Sequence, residues 1–173
     1  MQGQGGRLYK AHVDPSVLAR VREEWSRQQT RQKRHSRYVD VIRELAAKLS
    51  EEQRRRVSSD VIYDLATSLL DGTVFEIVRE LEEIQQILER DLLNRRMKVV
   101  NVQRASQSAE TPEGEAAMRE VDQGIILDLD QRVAEQQATL QRAGIPCMMP
   151  TNKREDIVLQ MEILRWIQRL SRL

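Results

Sequence analysis

The side chains best equipped for chemistry in this sequence are few. They are His12 and His35, a single cysteine, Cys147, the close carboxylates Asp128 and Asp130, and the guanidinium-rich run RQQTRQKRHSR over residues 27–37. Zinc is normally held by several Cys or His ligands at short, regular spacing. One cysteine and two widely separated histidines do not supply that, and no H-E-x-x-H is present. Asp128 and Asp130 are two apart, which on a helix turns them about 200° from each other, so they read as surface carboxylates. Cys147 would need a base and electropositive surroundings to act as a nucleophile. Between Pro146 and Met148 it reads instead as a small apolar residue bound for the interior. The GQGG of residues 3–6 is a flexible start, not a phosphate-binding loop. No catalytic residue, metal or cofactor is expected.

The basic run is the one segment that invites a binding function. Arg27, Arg31, Lys33, Arg34 and Arg37 could contact phosphate or form a nuclear import signal. Neither aromatic interleaving for single strands nor a DNA-binding motif accompanies them. They read as a solvated or partner-facing helix face, with Gln32 and His35 on the inner stripe. The alternative function is a nuclear nucleic-acid-associated factor using this face.

Composition says what must position these groups. Charged residues make up 32% of the chain and aromatic ones 3%, with 40% hydrophobic. Such a chain builds on Leu, Ile, Val and Ala flanked by charge, the pattern of long helices and coiled coils. The net charge of +1 argues against a whole-chain polyanion binder. It conceals a segregation: residues 20–56 hold twelve Lys/Arg and six Asp/Glu, net +6, and residues 60–94 two and nine, net −7. Segments of opposite sign attract within one chain or between two copies. No apolar run is as long as a membrane span and the start is not a signal peptide, so an intracellular protein without membrane contact is expected.

Periodicity then places the elements. Residues 1–13 are expected to be a disordered tail. Asp14-Pro15 caps and opens a helix whose a and d positions run Leu18, Val21, Trp25, Gln28, Gln32, His35, Val39, Ile42, Ala46 and Leu49. Ser50 with Gln53 starts a short helix ending near Val57, and Ser58/Ser59 start another through Leu70. The stretch LLDGTVFEIV poses a choice, because Asp-Gly between apolar runs is a hairpin signal. Leu65 to Leu70 does not alternate, however, and Thr73 with Glu76 makes a capping box before Val74, Ile77, Val78, Leu81, Ile84, Ile87 and Leu88. Asp71-Gly72 is therefore a helix break. A long helix to about Gln103, a loop at 104–111, and a second long helix over 112–143 form an antiparallel hairpin. Along the second, Met118, Val121, Ile125, Leu129, Val133 and Leu140 make the seam, with Gln136 its polar member. After an apolar loop at 144–152, Asn152 with Glu155 begins a last helix over 153–173, with Ile157, Met161, Leu164 and Ile167 as one stripe and Ile163, Trp166, Leu170 and Leu173 widening that face. The predicted fold class is all-α, elongated and coiled-coil-like.

LLDGTVFEIVRELEEIQQILERDLLNRR, DQGIILDLDQRVAEQQATLQRAG and NKREDIVLQMEILRWIQRL resemble the family of the Drosophila gonadal protein and the vertebrate DiGeorge-critical-region protein. The resemblance covers most of residues 32–172. It implies a coiled-coil protein linked to gonad and neural-crest development, usually described as nuclear, with no established enzymatic mechanism. Family members usually have a longer helical stretch where this chain has ASQSAETPEGEAAMRE, so the two long helices are shortened here.

The expected function is that of a non-enzymatic scaffold or adaptor that binds other proteins through helical surfaces, a homodimer included, rather than nucleic acid. The surface expected to carry this is the two ends of the first seam: Leu18, Val21 and Trp25, and Val39, Ile42 and Leu49. The uncharged run Ile145, Pro146, Cys147, Met148 and Met149 is either tucked under the helices or offered to a partner.

Overall fold

The computed structural model describes residues 14–173. Residues 1–13, with the expected tail and His12, lie outside the described residues. Six helices and no strand make up the described chain: α1 (Pro15–Ala46), α2 (Glu51–Arg56), α3 (Ser59–Ser68), α4 (Thr73–Ala105), α5 (Pro112–Arg142) and α6 (Arg154–Leu170). None is long and apolar enough to cross a membrane.

The starts of four helices follow from side-chain oxygens that satisfy first-turn N–H groups. Asp14 accepts from the Ser16 amide, Ser50 from Gln53, Ser58 from Val61 and Thr111 from Gly114. Two starts differ from expectation. At α4 the residue flanking the helix is Gly72, in the left-handed region at φ 85°, and Thr73 is already helical. The Asp71 carboxylate, rather than a Thr73 cap, accepts from the Thr73 amide at 3.0 Å. Asp-Gly thus supplies both the left-handed residue and the local acceptor, which leaves the threonine nothing to cap. At α6 the flanking residue is Lys153, without a side-chain cap, and not Asn152. Thr151 serves here: its hydroxyl accepts from the Lys153 amide and donates to Asp156 at 2.8 Å.

The core is a helical head. The C-terminal half of α1 gives Tyr38, Val39, Ile42, Leu45 and Ala46, α3 gives Ile62, Leu65 and Ala66, and α6 gives Leu159, Ile163, Trp166, Ile167 and Leu170. Val74 and Val78 from the start of α4 and Leu140 from the end of α5 close it. Of the expected face of α6, Ile167 and the widening residues Ile163, Trp166 and Leu170 are buried, and Leu159 joins them. Met161 and Leu173 are instead half exposed. A helix this apolar offers two adjacent stripes, and the one aimed at α1 and α4 is the one buried.

Beyond the head, α4 and α5 run on as a two-helix arm. Cross-links show the pair to be antiparallel: Gln85 meets Gln136, Arg95 meets Asp128, Arg96 meets Asp122, and Gln103 meets the Gly114 carbonyl. Position rises along α4 as its partner falls along α5. At the tip the buried Gln103 amide donates to Gly114 O at 2.6 Å. A Cβ on Gly114 would lie 1.9 Å from the Ser108 carbonyl oxygen, so only glycine lets the chain close there.

Candidate interaction surfaces

Among the described residues no three His, Cys, Asp or Glu side chains gather where a metal ion could sit. Asp128 takes the Arg95 guanidinium at 2.8 Å, as a surface carboxylate of the arm. His35 is a seam residue turned inward. Its ring lies edge-on to Tyr63 at 4.5 Å and its Nε2 is 3.1 Å from the Thr67 hydroxyl. Cys147 is half-buried, and burial above all pushes its thiol pKa up, against a smaller lowering by Arg56. That is the reverse of an activated nucleophile.

The six-residue surface expected on α1 divides in two. Val39, Ile42 and Leu49 are buried within this chain, Ile42 completely, and are not available to a partner. Helix α1 ends at Ala46, so Leu49 reaches the core from the turn that follows. The reason for the correction is α3: it packs antiparallel along the C-terminal half of α1 and covers the seam from His35 onward. Past the corner at Leu70 and Asp71 no other helix of the described residues covers α1. Leu18, Val21 and Trp25 therefore continue the same a/d pattern as Ile42 but stand in solvent, with Trp25 63% exposed. The other tryptophan, Trp166, is 4% exposed at the centre of the head.

The basic run lies along the middle of α1, on its outer sides. Arg27 is paired with Glu23 one turn away, and Arg34 reaches the Leu70 carbonyl at 3.5 Å. Arg31, Lys33 and Arg37 are exposed and make no ion pair among the described residues.

The uncharged loop is mostly interior. Ile145 and Met148 are buried, Pro146 is half-buried, and Met149 alone turns outward. Two glutamines hold it, which the sequence reading did not single out. Gln160 donates to the carbonyls of Cys147 and Met149 and accepts from Gln137, and Gln137 in turn both donates to and accepts from the Thr151 backbone. An ion pair between Arg56 of α2 and Asp156 of α6 closes the groove beside Cys147. The aspartate's pKa is lowered by its hydrogen bond with Arg56 first and by that with Thr151 second.

A second exposed apolar strip was hidden among the expected seam residues of α4. Ile84 and Ile87 are 43% and 66% exposed, whereas Val74 and Val78 of the same series are buried. Gln85, Leu88 and Leu92 face α5 here, so the two isoleucines fall to one side of the arm. The signal was available: seven apolar residues at mixed spacings make a stripe wider than one neighbouring helix can cover.

The DiGeorge syndrome critical region 6 (DGCR6) protein family matches residues 16–117 and 109–173, the two segments overlapping at the tip of the arm. "Protein DGCR6" of Gallus gallus is 34% identical over 178 aligned residues, which take in 86% of this chain and 88% of that one. "Gonadal protein gdl" of Drosophila melanogaster is 34% identical over 152, covering 78% of each. No solved structure matches.

Proposed function

Because this chain belongs to the DiGeorge syndrome critical region 6 protein family, whose names describe no enzyme, we propose that it is a non-enzymatic adaptor that binds other proteins through helix faces left open by its own fold. The observation that carries this reading is the exposed Leu18, Val21 and Trp25 face, a direct continuation of a stripe that is core further along the same helix. An apolar face on a charged helix, anchored by a tryptophan, is what helix-on-helix docking uses: apolar contact supplies affinity and flanking charge selects the partner. The gonadal name of the fly relative supports a developmental setting. The exposed basic side chains of α1 support a nuclear one.

The test is site-specific photo-crosslinking of the full chain in cells, with a benzophenone amino acid at Val21. The expected result is a defined protein adduct that disappears when Leu18→Glu is added. Background labelling only, unchanged by Leu18→Glu, would end the reading.

A further inference from the structure

Two exposed segments of this chain are complementary to each other and cannot meet within one copy. The open half of α1, residues 15–34, holds six Lys/Arg and two Asp/Glu, net +4. The part of α4 around its exposed isoleucines, residues 76–91, holds six Asp/Glu and two Lys/Arg, net −4. Each carries an apolar strip at helical spacing: Leu18, Val21 and Trp25 on one, Ile84 and Ile87 on the other. Glu80 lies four residues before Ile84 and Asp91 four after Ile87, in line with them on the helix surface. Glu76, Glu80 and Glu83 are exposed and form no ion pair among the described residues, and the same is true of Arg20, Arg22 and Arg31. An isolated helix face of either sign is soluble alone. Two such faces together bury apolar surface and neutralise unpaired charge.

Within one chain the two are held apart. Helix α1 is continuous from Pro15 to Ala46, and its C-terminal half is fixed in the head by Ile42, Leu45 and the His35 contacts. It cannot fold back to lay Trp25 on Ile84 without breaking that helix.

We propose that the occupant of each face is a second copy of this chain: the open half of α1 of one protomer docks along the Glu80–Asp91 face of α4 of the other. Because each copy carries one face of each kind, two such contacts close a symmetric dimer and leave no unfilled site to propagate a fibre. This inference rests on the adaptor reading only in taking the Leu18–Trp25 face to bind protein. It names what binds there.

Charge swapping on the full chain tests it, read by light scattering coupled to size exclusion at low salt. Wild type is expected at twice 20.2 kDa. The double variants Glu80→Lys/Glu83→Lys and Arg22→Glu/Arg31→Glu, all on exposed positions, each bring one face from a net charge of magnitude 4 to zero and set the swapped residues against like charges in both contacts. Each is expected to weaken self-association about tenfold or more and run as a monomer. Mixed one to one, they are expected to form a heterodimer, because one contact of the mixed pair is the wild-type one and in the other the swapped residues again meet opposite charges. A loss caused by misfolding would not be rescued by mixing. A monomeric wild type, charge variants that stay dimeric, or monomeric variants that fail to pair would each overturn the proposal. If wild type is monomeric while Val21 still crosslinks to a different protein, the dimer falls and the adaptor reading stands.

Discussion

The side-chain amide of Gln137 in α5 donates to the Oε1 of Gln160 in α6 at 2.8 Å, with both residues about 95% buried. Together they satisfy the backbone of a loop that makes no regular structure. Replacing Gln160 by Met keeps the volume and removes the partners of two carbonyls. Gln160→Met should cost about 1–3 kcal/mol, read as a lower midpoint in urea. Met149→Ala, at the outward residue of the same loop, should leave the midpoint unchanged.

Ile42 and Trp25 both lie on the a/d seam of α1 and should behave oppositely. Ile42→Ala empties a fully buried site and should destabilise by about 2–5 kcal/mol. Trp25→Ala removes a side chain that stands mostly in solvent and should leave monomer stability within about 0.5 kcal/mol. Chemical denaturation of the two variants and wild type, each at a concentration low enough to keep the chain monomeric, checks the pair. If Trp25→Ala destabilised as much as Ile42→Ala, α1 would have to be packed along its whole length.

Gly72 holds φ 85° with nothing within 4 Å of where a Cβ would stand. The cost of Gly72→Ala is therefore backbone strain alone, about 1–2 kcal/mol. Gly72→Asn should cost less, since asparagine tolerates the left-handed region. Gly114→Ala is the contrasting case. Its Cβ would strike the Ser108 carbonyl, so the tip must open, and protection of the tip amides in hydrogen exchange should fall there before anywhere else.

Asp156 has its pKa lowered in the folded state by Arg56 and Thr151. A carboxylate with a depressed folded pKa contributes stability that is present above its unfolded value, near 3.8, and is lost as pH falls through the folded value. Wild type should thus lose part of its stability to acid below about pH 4, and Asp156→Asn should lack that component. Acid titration of the unfolding midpoint for the two proteins makes the comparison.

Cys147 should react slowly. Burial raises its thiol pKa, so at neutral pH little thiolate is present. Alkylation by iodoacetamide should be slower than that of a free thiol and accelerate on mild urea addition. Arg56→Ala removes the one charge that favours the thiolate and should slow it further at fixed pH.

Much of the fold was legible because its signals are local. Ser50, Ser58 and Thr111 cap where their spacing from the next amide allows it. Gly144 ends α5 at φ 79°, with the Ile145 amide returning to the Leu140 carbonyl at 3.2 Å. What escaped was competition and company. Thr73 fits a cap by pattern, yet Asp71 and Gly72 already supply that turn. Asn152 fits equally well, and Thr151 does the work. The seam of α1 reads the same at Leu18 as at Ile42, because periodicity states which face is apolar and not whether another helix lies against it. The exposed pair Ile84 and Ile87 follows from the same ambiguity. So does the glutamine pair at 137 and 160, since no spacing rule links two amides on different helices.

The tip of the arm closes on itself. Gln103, Ser108, Thr111 and Gly114 bond with one another and none of them touches the head. Helix pairs that meet along a seam return to nearly the same phase every seven residues. A matched addition or removal of one such step on α4 and on α5 would thus carry the whole tip outward or inward by about 10 Å and present it at nearly the same angle. The length of this arm is adjustable apart from the fold that bears it, and the family match divides at the tip, where such a change in length would be made.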